Sequence, residues 1–363
     1  MMGELHGIAN LPIKPRRPWA LIATAAVLLL AISGGLMYLI ITGRTRTQGA
    51  IANGTGDTAA TSSTTTLVPR RLDGVLVSHE EDAYAPRAVM VDNQVDARPI
   101  AGIAKANVVI EAPVEGGITR LMLLFDATTT IEEVGAVRSA RPYFVDWAAG
   151  WKSAYFHCGG SPDALAKLQV LDGVSLANVD EMAHGDAFWR SGARSAPHNI
   201  YTKKEFMDQA VLNVDWSTTT IPVAWHFKES ASSTDRGEGG TIKVGYGGSY
   251  TVNWQYEKDG NIYVRQQGKK TQLDKNDLRV EASNVVVIKT EEKVLDAIGR
   301  LQIRTTGSGE ATLYRDGNKY SIRWQRAQNE PIHFAGQDGS EILLNRGKTW
   351  IEVTTDDRIF AGL

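Results

Sequence analysis

Ser153–Leu168 reads SAYFHCGGSPDALAKL, and this stretch decides the fold. SAYFHC is a short apolar run with strand character. Gly159 and Gly160 then turn the chain, and Ser161-Pro162-Asp163 opens a helix: a serine to cap it, proline at its first position, and an acid in its first turn. A strand that feeds a helix through a glycine turn is the repeating piece of an α/β domain.

The same texture extends outward. RAVMVD (Arg87–Asp92), NVVIEA (Asn107–Ala112) and LMLLFD (Leu121–Asp126) read as buried strands. A helix is expected from about Pro142, with Tyr143, Trp147 and Trp151 recurring on one face as core packing. Thr202 and Glu205 form a capping-box pattern ahead of Phe206–Leu212. Beyond about Ile221 the pattern becomes all-β. Tyr250, Val252, Trp254 and Tyr256 alternate, as do Tyr320, Ile322 and Trp324, and Asp259-Gly260 and Asp316-Gly317 signal hairpins. The expected fold is therefore mixed α+β: an α/β domain over 72–221, then a β-rich antiparallel domain over 222–363.

Ahead of these lies an apolar segment. Residues 19–41, WALIATAAVLLLAISGGLMYLII, carry no charge and span about 34 Å as a helix at roughly 1.5 Å per residue, enough for a bilayer core of about 30 Å. Lys14, Arg16 and Arg17 precede it, and Arg44 and Arg46 follow. The expectation is an uncleaved single-pass anchor, with residues 1–18 a cytoplasmic tail and the bulk of the chain outside. A cleaved signal peptide would have a shorter apolar region. Residues 43–71, with GTGDTAATSSTTT at their centre, are expected to be a disordered Thr/Ser-rich linker of about 30 Å reach.

Composition excludes several functions. Lys+Arg number 39 against 41 Asp+Glu over 363 residues, so no basic excess points to nucleic acid. Cys158 is the sole cysteine, which excludes a disulfide scaffold, a multi-cysteine metal site and lipid attachment at a cysteine after the apolar segment. The seven histidines show no HExxH or similar pairing, and neither a metal nor a cofactor is expected.

The candidate chemistry is anionic recognition. The turn His157-Cys158-Gly159-Gly160-Ser161 offers backbone N–H groups at a helix start, where an anion is favoured, although glycine turn and serine cap alone account for the same residues. Arg120, Arg138, Ser139, Arg141, Arg190, Arg194 and Asn199 fall at strand ends or in loops. Guanidinium groups grip carboxylate and phosphate in bidentate fashion. Asp92, Glu111 and Glu115 are expected as counter-ions to these arginines. His157 and His198 are the candidates for acid–base work. A lone cysteine on a strand is expected to be inert.

The residues also carry a resemblance. ARPIAGIAKANVVIEAPVEGGITR (Ala97–Arg120), GAVRSARPYF (Gly135–Phe144), HCGGSPDAL (His157–Leu165), and FWR with RSAPHNIYT (Phe188–Thr202) resemble the N-terminal domain of the YerB-like bacterial lipoproteins. SNVVVI, DAIGR (Asp296–Arg300), TGSGEATLYRDGNKYSIRW (Thr306–Trp324) and LNRGKTWIEV (Leu344–Val353) are similar to that family's C-terminal domain. The resemblance implies an exported bacterial protein of two domains with no assigned activity. It brings forward the arginines, His157, Ser161, His198 and Asn199 as a joint site. The leading expectation is binding of an anionic envelope ligand. A hydrolase or transferase on a phosphate- or carboxylate-bearing envelope polymer, and an envelope scaffold docking partners through the β domain, are the alternatives.

Overall fold

In the computed structural model, residues 67–78, 85–217, 219, 222–355 and 359–362 are described. The expected cytoplasmic tail, the apolar segment 19–41 and the linker up to residue 66 lie outside them. Among the described residues no helix is long and apolar enough to cross a membrane.

Ten strands make the central sheet: β1 (Arg87–Asp92), β2 (Val108–Pro113), β3 (Thr119–Phe125), β4 (Ala154–His157), β5 (Ala177–Asp180), β6 (Asn284–Lys289), β7 (Gly307–Arg315), β8 (Asn318–Arg326), β9 (His333–Gly336) and β10 (Thr349–Thr354). Their order is β9-β8-β7-β6-β10-β2-β3-β1-β4-β5. The strands β1, β2, β3 and β10 are buried along their whole length, because both faces of the sheet are covered. Continuous apolar runs such as RAVMVD are the sequence form of such strands.

Three helices, α1 (Pro142–Gly150), α2 (Pro162–Leu171) and α3 (Lys204–Asn213), accompany the first half. Tyr143, Trp147 and Trp151 are buried, as their spacing predicts. Ser161 caps α2, its Oγ accepting from the Ala164 N–H at 3.4 Å. The Thr202 capping box does not form. Lys203 occupies the cap position, and Thr202 lies in the strand Ile200–Thr202 with its hydroxyl donating to the Ala187 carbonyl at 2.8 Å.

A second sheet is built around Thr241–Gly245, Thr251–Glu257 and Ile262–Gln267, paired antiparallel. It lies against the central sheet, with Trp254 and Trp350 ring centroids 5.0 Å apart. Asp316 and Gly317, at φ 52° and 70°, close the two-residue turn between β7 and β8.

Two expectations need correction. The C-terminal half is not purely antiparallel: β10 pairs parallel with β6 on one side and with β2 on the other. Alternation along a strand reports which face is buried, not the direction of its neighbour. Because of β10, the two halves share one sheet. The fold also begins before residue 72. Leu67–Pro69 pairs with Leu76–Ser78, and Arg70 reaches Asp73 at 2.6 Å.

Candidate functional site

The strands β1, β4 and β5 run parallel and end together, the position at which open α/β sheets place their ligands. At the end of β1, Asp92 stands opposite Arg120 on β3, so the two share one face of the sheet. Asp92 is buried; it accepts from the His198 Nδ1 at 2.8 Å and the Gln94 N–H at 3.0 Å, and forms an ion pair with Arg138, whose Nε lies 2.9 Å away without hydrogen-bonding geometry. Since carboxylate oxygens only accept, the His198 proton sits on Nδ1. This orients the ring as a carboxylate does in acid–base dyads.

Arg141 grips Glu115 bidentately at 2.6 and 2.8 Å. That guanidinium holds the Glu115 carboxyl below its ordinary value against the upward push of burial. Arg120 is different. It is 3% exposed, and no carboxylate among the described residues pairs with it. Its Nη1 donates to the Ser139 carbonyl at 2.6 Å, while its Nε has no partner. Burial first, then Arg141, bring it down to about 10, so it remains charged at neutral pH. Arg138 adds to the same repulsion.

Of the residues expected at a joint site, then, the fold gathers Arg120, Arg138, Ser139 (through its carbonyl), Arg141 and His198, with Asp92 and Glu115. The others have different work. His157 is wholly buried. Its Nδ1 donates to the Gly159 carbonyl at 2.8 Å and its Nε2 meets the Asn178 side chain at 2.7 Å, so both nitrogens are spent on holding the turn. A histidine so placed does not reach a ligand, which corrects its expected catalytic role. The Gly159-Gly160 turn already receives an anion from its own chain: the Gly159 N–H, at φ 60°, donates to Asp180 at 2.7 Å. Ser161 is spent on its helix cap.

Arg190 is exposed and pairs with Glu181 at 2.8 Å. Arg194 donates to the Asp96 and Pro99 carbonyls at 2.8 and 3.2 Å, clamping the loop that carries His198 onto the loop after β1. Asn199 keeps a buried side-chain oxygen without a partner. Glu111 is not a counter-ion of these arginines. Its side chain points to the opposite face, where it meets Arg265 of the second sheet at 2.5 Å. The Cys158 thiol lies 3.6 Å from Glu181, and burial followed by that carboxylate pushes it up to about 11, a protonated and weakly nucleophilic thiol.

Tyr155 was not singled out by sequence. It lies two positions before His157 on β4 and therefore on the same face, wholly buried, with a hydroxyl that has no partner. The period-two rule from His157 was the available signal. Elsewhere, a cleft of about 820 Å³ opens between α1, α2 and the hairpin 292–303, lined by Tyr143, Asp146, Lys167, Glu292 and Arg304 among others. Its three cations, Lys167, Lys293 and Arg304, face four carboxylates, Asp146, Asp163, Glu291 and Glu292, so it lacks the positive excess of the Arg120 cluster. Among the described residues no group of three His, Cys, Asp or Glu is placed to hold a metal ion.

Comparison with known proteins follows the same division of the chain. The N-terminal domain of DUF3048, a protein family of unknown function, matches residues 72–217, and the C-terminal domain of DUF3048 matches residues 242–351. The Bacillus subtilis (strain 168) protein named "Putative lipoprotein YerB" is 29% identical over 291 residues, covering 78% of this chain and 86% of that protein. The crystal structure of YerB protein from Bacillus subtilis shares the fold with a TM-score of 0.70 at 29% identity, over 79% of this chain and 96% of that one. With both domains matched in order and the fold shared across them, the chain belongs to the YerB-like family of DUF3048 proteins, whose function is unknown.

Proposed function

We propose that this protein is held at the membrane on the extracytoplasmic side and binds an anionic ligand of the cell envelope at the ends of β1 and β4. The observation that carries the reading is Arg120: a guanidinium buried without an ion pair, attracted by Asp92 but beside two further guanidiniums. An uncompensated buried charge costs several kcal/mol, and arginine cannot discard its proton to escape that cost. An anion bound beside Arg120 offsets it. Arg138 and His198, both partly exposed, form the outer edge through which a ligand enters. The lipoprotein name of the relative supports a membrane-associated, extracytoplasmic location. In this sequence, where Cys158 is the sole cysteine, the apolar segment 19–41 is the proposed anchor.

A second reading rests on the His198–Asp92 bond of 2.8 Å. A histidine fixed by a buried carboxylate and flanked by guanidiniums is also the arrangement of a hydrolase or transferase acting on an anionic envelope polymer.

Calorimetric titration of the full chain with phosphate-bearing and carboxylate-bearing cell-wall fragments tests the binding reading. Arg138→Lys should weaken binding at least tenfold, since ammonium cannot reproduce the planar fork. Arg190→Lys, at an exposed arginine paired with Glu181 away from the cluster, should bind as the wild type does. Wild-type affinity in Arg138→Lys, with circular dichroism unchanged, rejects the site.

A further inference from the structure

We propose that the buried end of this site holds one monoanionic oxyanion, a carboxylate or a phosphodiester, between the Arg120 Nε–H and the Tyr155 hydroxyl. The proposal rests on the anion-binding reading above and names the ligand's charge and the group that meets it innermost.

Sheet register brings the two donors to one face. Tyr155 aligns with Ala88 on β1, and Ala88, Met90 and Asp92 alternate onto the face on which Asp92 meets Arg120. Tyr155 lies within electrostatic reach of both Arg120 and Arg141. Arg120 is 3% exposed and Tyr155 fully buried. The Arg120 Nε and the Tyr155 hydroxyl both lack a partner, although buried polar groups are nearly always paired.

The Arg120 Nε–H only donates and the Tyr155 hydroxyl can donate as well as accept, so an acceptor is the one kind of partner that serves both at once. The nearby carboxylates are already engaged. Asp92 is taken by Arg138, His198 and the Gln94 N–H, and Glu115 by Arg141. Charge gives the second constraint. Arg120, Arg138 and Arg141 face Asp92 and Glu115, which leaves one positive charge over when His198 is neutral. Water satisfies the two donors but not that charge. A monoanion satisfies both, and an oxyanion offers separate oxygens to the two donors. A phosphate dianion overshoots the balance by one charge.

The test is thermal unfolding of the full chain at constant ionic strength, with sodium acetate or sodium dimethyl phosphate replacing sodium chloride. Wild type should show a saturable rise in Tm of about 5 °C at a hundredfold excess over the dissociation constant. Tyr155→Phe removes one hydroxyl and keeps the ring. In chloride it should be at least as stable as wild type, because an unpaired buried hydroxyl is lost, and it should lose most of the rise. A rise with acetate alone assigns a carboxylate, and one with dimethyl phosphate alone assigns a phosphodiester. The absence of a saturable rise in wild type overturns the proposal. A full rise in Tyr155→Phe also overturns it. If Arg138→Lys abolishes the rise that Tyr155→Phe retains, the inner subsite is refuted and the outer binding site stands.

Discussion

Glu352→Gln should stabilise the protein at neutral pH and flatten its pH dependence. Glu352 and Glu111 stand opposite each other where β10 pairs with β2, and both are wholly buried with Arg265. Glu111 collects the partners that favour a charged carboxylate: the Asn93 amide at 3.1 Å, the Thr119 hydroxyl at 2.6 Å and the Arg265 guanidinium at 2.5 Å. Glu352 is left with the Trp254 indole N–H and the Tyr246 hydroxyl, each at 2.9 Å. Burial first, and the Glu111 charge second, push its carboxyl up to about 8. It therefore carries its proton at neutral pH. That proton can be donated to the Tyr246 oxygen while the Tyr246 hydroxyl donates to the Val353 carbonyl at 3.1 Å.

Once unfolded, the group returns to its ordinary value of 4.5. Between these two values the folded state holds one proton more than the unfolded state. Stability is then complete below the unfolded value and is lost as pH rises toward the folded one, at up to about 1.4 kcal/mol per pH unit. From pH 5 to pH 7 the loss is about 3 kcal/mol. Glutamine keeps the neutral shape, with its oxygen for Trp254 and its amide for Tyr246, and has no proton to lose. Urea unfolding of both proteins at pH 5, 6, 7 and 8 measures the difference. The stability of Glu352→Gln relative to wild type should grow by about 3 kcal/mol between pH 5 and pH 7 at unchanged m-value. A difference that stays constant across this range refutes a protonated Glu352.

Asp316 should show the opposite slope. Burial pushes its carboxyl up, but hydrogen bonds from Asn261, Lys228 and Asn345 outweigh burial and bring it down to about 2, so its contribution is present above the ordinary value of 3.8 and lost as pH falls toward 2. Asp316→Asn should cost about 2 kcal/mol at pH 7 and remove this acid-side loss, read as urea midpoints between pH 2 and pH 5. Ser161→Ala should cost about 0.5–1 kcal/mol, the low end for a cap whose bond is long, and should leave anion binding at the wild-type value in the calorimetric titration. Weakened binding in that variant would return Ser161 to the ligand site.

The parts of the fold that were legible in sequence are those decided locally. RAVMVD is a strand because every side chain in it is apolar or terminal, and Ser161-Pro162-Asp163 starts a helix because cap, proline and acid act within one turn. What was hidden depends on partners far along the chain. Asp92 and His198 are 106 residues apart, and Arg265 reaches Glu111 across 154. The glycine turn presents backbone N–H groups, but the Gly159 N–H is taken by Asp180, supplied by the next strand. Likewise, LNRGKTWIEV announces a strand, yet nothing within it says that it will lie between the two halves and pair parallel on both sides. The arginines could be nominated as a set. Which of them would be spent on Glu115, Glu181 or backbone carbonyls, and which would stay unmatched, was decided by the packing of loops.

The two faces of the central sheet meet the same electrostatic problem with opposite sign. On the face toward the second sheet, Glu111 and Glu352 share the Arg265 guanidinium, so negative charge is in excess at contact range; Arg98 lies farther out, bonded to Asn93. On the other face, Arg120, Arg138 and Arg141 exceed Asp92 and Glu115. A buried carboxylate resolves its excess from within by taking a proton, as Glu352 does. A guanidinium has no such exit, because it stays protonated at any physiological pH even when burial lowers its value. The first face can therefore be sealed and structural. The second cannot shed its charge in this way, and it lies at the strand ends, beside the partly exposed Arg138 and His198, where an anion from outside the chain would offset it. That asymmetry between acid and base, rather than the number of arginines, is the reason to look for a ligand on the Arg120 face and not on the Glu111 face.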